Sequence, residues 1–338
     1  MDRKMAVLGA GAIGSSVGAD LARAGHDVAL IDQWPAHVEA MKAHGLHVMM
    51  PEEELHTPVQ ALHLCELCTI QRQFDIVFLA AKSYDTPWMV QLIKPYLKPG
   101  GVLVSLQNSL NDEWIIPELG YQRDIASVVE LAANLFEPGR VRRFTPHGRT
   151  WFALGEIHGR ETPRLQEVAG ILNAAGKTEI STNIWGAKWS KLVVNSMTAG
   201  VSGILGTPGN ELIRRPEIRR LFIKLGRESL QVGLALGYSL EPLFGLTAEE
   251  ILGSTDEVLE KILLTLFSKV SKGGRSMILQ DHLKGRRSEI DYINGLVVRK
   301  GREAGVPTPL NEAITSLTRQ IEQGVLKPTL SNAAVLEH

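Results

Sequence analysis

Apolar residues fall in short unbroken runs over the first half of the chain and at helical spacing over the second. The run at 5–8 meets Gly9-Ala10-Gly11-Ala12-Ile13-Gly14, after which Val17, Leu21 and Ala24 recur until Gly25. That pattern predicts a strand, a tight turn and a helix. Runs at 28–31, 76–80, 102–106 and 125–129, set off by polar or Pro/Gly stretches, predict four more strands. Strands alternating with helical patterns imply a parallel sheet. Positions 141–144 and 151–154 flank Pro146-His147-Gly148 and predict a hairpin appended to that sheet. Thr162-Pro163 opens a helix stopped at Gly176, and a strand over 178–181 closes the region. Beyond Asn183 the pattern is helical, over 184–205, 216–236, 254–271, 288–304 and 309–324, the last opened by Thr308-Pro309. The expected fold is α/β: an N-terminal Rossmann-type parallel-sheet domain over 1–182 and an all-α C-terminal domain over 183–335. The terminal Leu336-Glu337-His338 reads as a cloning scar and is set aside.

Composition narrows the function. A chain of 338 residues exceeds the size at which single cores stop growing, in keeping with two domains. Its 44% hydrophobic and 22% charged residues are those of an ordinary globular protein. Lys and Arg number 36 against 37 Asp and Glu, which removes the electrostatic footprint of a dedicated nucleic-acid binder and favours a small-molecule partner. No apolar run reaches the ~18 residues that span a bilayer, and the N-terminus lacks a signal-peptide pattern. The expectation is a cytoplasmic protein without a membrane partner, with a symmetric homodimer as the default assembly. Cys65 and Cys68 form a lone CxxC, whereas a structural zinc takes about four ligands. No metal is expected, and the pair reads as two ordinary thiols.

The glycine-rich turn carries the first chemistry. Gly9 makes the tight turn, Gly11 lets a pyrophosphate approach the backbone, and Gly14 allows close packing of helix on strand. Ala10, Ala12 and Ile13 complete the turn, and the helix N-terminus offers N–H groups to the phosphates. Asp32, at the end of the second strand, would accept hydrogen bonds from the adenosine ribose and repel a 2′-phosphate, so NAD is expected in preference to NADP. In the second half, Lys191 and Asn195 lie four apart, on one face of a helix. A lysine near a nicotinamide can donate a proton to a carbonyl oxygen as hydride reaches the adjacent carbon. The segment Arg286-Arg287-Ser288-Glu289-Ile290-Asp291-Tyr292-Ile293-Asn294-Gly295 opens a further helix with a serine cap, and helix electrostatics alone accounts for its acids.

The Gly9–Gly14 turn, Ala81-Lys82-Ser83-Tyr84-Asp85-Thr86, Leu106-Gln107-Asn108, Trp189-Ser190-Lys191-Leu192-Val193-Val194-Asn195 and the 288–295 segment appear together in one order. In that order and spacing the chain resembles the 2-dehydropantoate 2-reductase (ketopantoate reductase) family over nearly its whole length. The resemblance implies NAD(P)H-dependent reduction of a small 2-oxo acid to the 2-hydroxy acid, with Lys191 as proton donor. It implies that Lys82 and Asn108 line the cofactor side, that Ala133 falls beside the cofactor and that Asn195 contacts substrate. Glu289 would face the nicotinamide ribose or the catalytic lysine. Several positions depart from the family. Gln33 follows Asp32 where the founding reductases carry an arginine for the NADP phosphate, and Ala199 replaces a second substrate asparagine. In Gly273-Gly274-Arg275-Ser276-Met277 the family's serine is shifted, to the substrate-binding candidate Ser276, or lost, and an asparagine is missing. Ser109 follows Asn108 where a glycine is usual, and Glu130 precedes Leu131 near the expected cleft. A hydrogen-bonding pocket discriminates through its unpaired groups, so these changes leave ketopantoate as one candidate among several small 2-oxo acids. Arg275, Arg286 and Arg287 are candidate carboxylate partners. Two other readings are a paralogue acting on a different 2- or 3-hydroxy acid or an imine, and a non-catalytic dinucleotide sensor. Retention of Lys191 and Glu289 counts against the sensor.

Overall fold

The computed structural model describes residues 3–71, 73–242, 255–269 and 273–336. The chain divides into two compact units, Met1–Ile184 and Trp185–His338. In unit 1 the elements run β1 (Met5–Leu8), α1 (Ala12–Arg23), β2 (Val28–Asp32), α2 (Pro35–His44), β3 (Leu46–Met49), β4 (Glu54–Thr57), β5 (Gln60–His63), β6 (Phe74–Leu79) and α3 (Thr86–Ile93). They continue with β7 (Leu97–Ser105), α4 (Asp112–Leu119), β8 (Asp124–Glu130), β9 (Ala133–Glu137), β10 (Arg140–Arg143), β11 (Trp151–Glu156), α5 (Pro163–Leu172) and β12 (Lys177–Ile180).

Eight strands form one sheet in the order β12-β11-β8-β7-β6-β1-β2-β5. Every pairing in it is parallel except β8 with β11. Strand β1 is buried throughout because both faces of a parallel sheet are covered, which is why it reads as an unbroken apolar run. Met5 and Val7 pack with Val17 and Leu21 of α1 and Leu165 and Val168 of α5, whereas Ala6 and Leu8 pack with Met89 and Val90 of α3 and Ile115 of α4. The order β5-β2-β1-β6-β7-β8 reverses direction between β1 and β6, and open α/β sheets bind ligands outside the carboxyl ends of their strands at such a point.

A second sheet, β4-β3-β10-β9, corrects the expected hairpin. β10 pairs with β3 and β9, while β11 joins the main sheet, so the two segments belong to different sheets. The physical reason is Arg143, a fully buried guanidinium at the end of β10. It donates to Thr145 O at 3.0 Å, Thr150 Oγ1 at 2.7 Å and Ala175 O at 3.1 Å, and pairs with Asp20 of α1 at 2.5 Å. These contacts clamp the connection as a corner between sheets. Strands β3, β4 and β5 were not anticipated: each spans four residues and interleaves polar with apolar positions.

Unit 2 is helical among its described residues: α6 (Ile184–Leu205), α7 (Gly209–Leu212), α8 (Pro216–Ala235), α9 (Thr255–Lys269), α10 (Met277–Leu283), α11 (Asn294–Ala304) and α12 (Pro309–Glu322). The ends of the expected 254–271 helix lie outside the described residues. The expected helix over 288–304 is broken instead. A 3-10 turn covers Ile290–Tyr292, and the backbone leaves helical geometry at Ile293 before α11 begins.

Candidate cofactor and catalytic site

In unit 1 the strand β1 leads into the glycine turn, and the three glycines differ in what surrounds them. Gly9 has φ +93°, a left-handed conformation that costs a residue with a Cβ, and a Cβ there would stand 2.7 Å from Ala81 N. The turn is thereby pressed against the loop leaving β6, at the topological switch point. At Gly14 a Cβ would stand 2.1 Å from Gly9 O, so the first turn of α1 lies directly on the glycine loop. At Gly11 nothing among the described residues, its chain neighbours aside, lies within 4 Å of that position. Among the described residues no side chain caps the N-terminus of α1. Its free N–H groups and this open approach fit a pyrophosphate.

Asp32 ends β2 and is mostly buried; its Oδ1 accepts from Trp34 N at 2.8 Å. Burial pushes its carboxyl above the ordinary aspartate value, against the opposing backbone N–H groups of Trp34, Ala10 and Gln33 and the nearby His37. Gln33-Trp34-Pro35-Ala36 are exposed and include no basic side chain. His37, which sequence reasoning passed over, is fully buried under this turn. Gly139 N donates to its Nδ1 at 2.9 Å, which places the ring proton on Nε2, and Nε2 donates to Ala10 O at 2.9 Å. The imidazole thus ties the glycine loop, α2 and the β9–β10 turn together. Its only sequence signal is a histidine on the apolar face of α2 beside Val38 and Met41.

Lys82 and Asn108 occupy the loops leaving β6 and β7, and both are half-buried. A polar network joins those loops. Gln107 Nε2 donates to Ala81 O at 2.9 Å and Thr86 Oγ1 at 2.8 Å, and Thr86 donates to Asn111 Oδ1 at 3.2 Å. Asn111 Nδ2 donates to Ser83 Oγ at 3.1 Å and to Asn108 O. Gln107 Oε1 is buried and has no hydrogen-bond partner among the described residues. Ser109 has φ +74°, the left-handed region that favours glycine. The serine noted as a departure therefore holds a conformation a glycine would adopt without cost. Ala133 is buried at the start of β9, opposite Arg143, and Glu130 ends β8.

In unit 2, α6 carries Lys191, half-buried, and Asn195, buried, one turn apart on one face. The rest of the helix is anchored. Trp189 is fully buried, donates to Ser229 O at 3.0 Å and stacks on Tyr238 at 4.9 Å; a Cβ on Gly233 would stand 2.0 Å from its indole nitrogen. Asn294 donates to Ser196 O at 2.9 Å and to Asn311 Oδ1 at 2.9 Å, and Asn311 donates to Glu228 Oε2 at 2.8 Å. The 288–295 segment therefore braces α6 next to Asn195. Its Ser288 Oγ donates to Glu322 Oε1 at 2.5 Å, and Glu289 is buried at the head of the 3-10 turn. Ser276 Oγ caps α10 through Leu279 N at 3.2 Å and donates to Ala199 O at 3.2 Å. Arg286 binds the buried Asp281 at 2.7 Å and Arg287 reaches Asp291 at 3.4 Å, so both guanidinium groups already pair with carboxylates; Arg275 is exposed. Lys188, three residues before Lys191, is only 2% exposed and is the more buried of the two lysines.

Comparison with known proteins shows which family the chain resembles along its length. A family model described as "Ketopantoate reductase PanE/ApbA" matches residues 5–156, and its C-terminal counterpart matches 183–322. A 2-dehydropantoate 2-reductase of Pyrococcus horikoshii is 30% identical, over 94% of this chain and 97% of the relative. One from Archaeoglobus fulgidus is 29% identical, over 96% and 99%. Among solved structures, a PanE/ApbA family ketopantoate reductase from Ralstonia eutropha JMP134 is 30% identical with TM-score 0.80, covering 95% of this chain and 99% of that one. D-mandelate dehydrogenase with NADH and anilino(oxo)acetate is 25% identical with TM-score 0.82, covering 95% and 99%. No helix among the described residues is long and apolar enough to cross a membrane.

Proposed function

The chain belongs to the ketopantoate reductase family and is an oxidoreductase of CH–OH groups, and on that premise we propose that it reduces a 2-oxo acid to the 2-hydroxy acid with NADH. When bound, the dinucleotide supplies the hydride. The residues that would hold it are those of the Gly9–Gly14 turn, where the open position at Gly11 and the uncapped start of α1 suit the pyrophosphate. Asp32 would accept the ribose hydroxyls, and its carboxylate would repel a 2′-phosphate. Lys82 and Asn108, on loops joined by Gln107, Asn111 and Thr86, would flank the nicotinamide end.

Lys191 would deliver the proton to the substrate carbonyl oxygen, and Asn195, one turn on, would hold the substrate by hydrogen bonding. Glu289 would orient the lysine ammonium or the nicotinamide ribose. The observation that carries this reading is α6 itself: Trp189, Ser196 and Asn294 lock its buried faces, while Lys191 stays partly accessible beside Asn195.

A specific observation favours a substrate other than ketopantoate. Ala199 has no side-chain hydrogen bond to offer, and the Ser276 hydroxyl already donates to the Ala199 carbonyl while capping α10. With fewer polar groups on this face, the substrate side chain would be apolar, a branched or aromatic 2-oxo acid. D-mandelate dehydrogenase, solved with NADH and an aryl oxo acid analogue, is a relative of that kind. The test is a turnover panel of branched, aromatic and hydroxylated 2-oxo acids with NADH and with NADPH. The expected result is highest kcat/KM for an apolar 2-oxo acid with NADH. Consumption of neither cofactor with any 2-oxo acid would overturn the reductase reading, and a hydroxylated acid as best substrate would overturn the apolar one.

A further inference from the structure

Cys65 and Cys68 are both exposed, on the 3-10 turn Leu64–Thr69 that leaves β5. In a 3-10 turn residues three apart eclipse one another at roughly 6 Å along the axis, within the span a disulfide bridges. The pair is built into its surroundings. His63, the last residue of β5, receives the Cys65 backbone N–H on Nδ1 at 3.3 Å, so its ring proton sits on Nε2 and donates to Gln33 O at 3.1 Å. Cys65 Sγ lies 3.1 Å from the same Nδ1, placed to hand its thiol proton to the imidazole. Cys68 Sγ donates to Cys65 O at 2.9 Å. Glu66 fixes the turn, accepting from His63 N at 2.6 Å and pairing with Lys42 of α2 at 2.7 Å.

The location gives the pair its meaning. Asp32 and His63 are direct partners across β2 and β5. His63 therefore grips the residue that follows Asp32, and its ring orientation depends in part on the Cys65 thiol. We propose that Cys65 and Cys68 are a redox-active dithiol whose closure to a disulfide by a hydroperoxide weakens dinucleotide binding at Asp32. The proposal rests on the reading that Asp32 faces the adenosine ribose.

The chemistry balances with hydrogen peroxide as oxidant. The Cys65 sulfur, its proton passed to His63, attacks one peroxide oxygen, the O–O bond breaks, and one water leaves. The Cys68 sulfur then attacks the resulting sulfenic sulfur, forming the S–S bond and releasing the second water. The two thiols lose two electrons and two protons, which reduce the peroxide to two waters. Closure takes the Cys65 sulfur from His63 Nδ1 to Cys68, and the imidazole that steadies Gln33 loses a partner.

The experiment treats the full-length reduced protein, and Cys65→Ser, with stoichiometric hydrogen peroxide, then records intact mass, free thiols and NADH affinity by fluorescence titration. The native chain should lose two hydrogens and both free thiols. Its Kd for NADH should rise about two- to tenfold, the worth of one hydrogen bond, and return with dithiothreitol. Cys65→Ser should form no intramolecular disulfide and keep its affinity through the same cycle. Failure of the native chain to form the disulfide overturns the proposal, and so does a disulfide that leaves the Kd unchanged. If the disulfide forms but NADH binds neither state, it is the cofactor reading that falls while the dithiol stands.

Discussion

At the scale of single residues, the glycine turn separates two roles that one motif conceals. A Cβ at Gly11 meets none of the described residues beyond its chain neighbours, so Gly11→Val should fold normally while its branched side chain occupies the proposed approach of the pyrophosphate. Gly14→Ala meets Gly9 O at 2.1 Å and should lower thermal stability before any ligand is considered. Melting temperature and NADH titration on the two variants distinguish them, and a stable Gly14→Ala with a destabilised Gly11→Val would reverse the assignment. Lys191 is the second test at this scale. Loss of a general acid lowers kcat by about 10²–10⁴-fold, so Lys191→Ala should do so with NADH affinity nearly unchanged. Lys188 is an unsuitable control because it is buried, and its removal would act through packing. The exposed Lys224 of α8 serves instead, and Lys224→Ala should retain native turnover. Near-native kcat in Lys191→Ala would refute the proton-donor role.

At the scale of elements, His37 shows how α2 is held under the glycine turn. Burial keeps its imidazole below the ordinary histidine value, against the opposing Asp32 carboxylate, so the folded chain holds the ring neutral. The unfolded chain protonates it near pH 6.5. Stability from this site is therefore complete above about pH 6.5 and falls as the pH drops toward the lower folded value, because the unfolded state then binds the extra proton. Asp32, pushed up by burial, acts in the opposite sense, its contribution being lost as the pH rises through its raised value, so the informative quantity is a difference. His37→Gln, which can still bond Ala10 O and Gly139 N, should lose less stability than the native chain between about pH 6.5 and 5.5 in denaturant titrations. Equal slopes would mean that His37 does not carry this dependence. The elements also show what the sequence displayed and what it hid. The α6 range and the β1-turn-α1 unit were legible because apolar period and glycine spacing are local signals. Strands β3–β5 were illegible because four-residue, half-polar strands leave little periodicity, and the β10–β11 corner depends on Arg143, whose partners lie as far away as Asp20. Lys82, Asn108, Lys191 and Asn195 could be singled out by motif. Gln107, Asn111 and Asn294, which brace the loops and helix carrying them, act through long-range contacts that a linear motif does not display.

At the scale of the whole molecule, charge decides little and local dipoles decide much. The formal net charge is −1, so no overall field draws a doubly anionic pyrophosphate to the protein. On the proposed reading, recognition comes from the start of α1 and from Asp32 at the end of β2, and it can be read without knowing the substrate. A ligand that binds only the folded state stabilises it by about 2.7 kcal/mol at a hundred times its Kd. NADH at that concentration should give this shift, whereas NADPH at the same concentration, discriminated tenfold by Asp32, should give about 1.4 kcal/mol. A chain of two units need not unfold in one step, so hydrogen exchange is the sharper measurement. NADH should slow exchange of the backbone amides from Gly9 through Ser15 and from Asp32 through His37, and Gly11→Val should abolish that protection. Equal or greater protection by NADPH would show that the Asp32 carboxylate does not set the preference, and protection elsewhere in unit 1 but not at the glycine turn would remove the pyrophosphate from the start of α1.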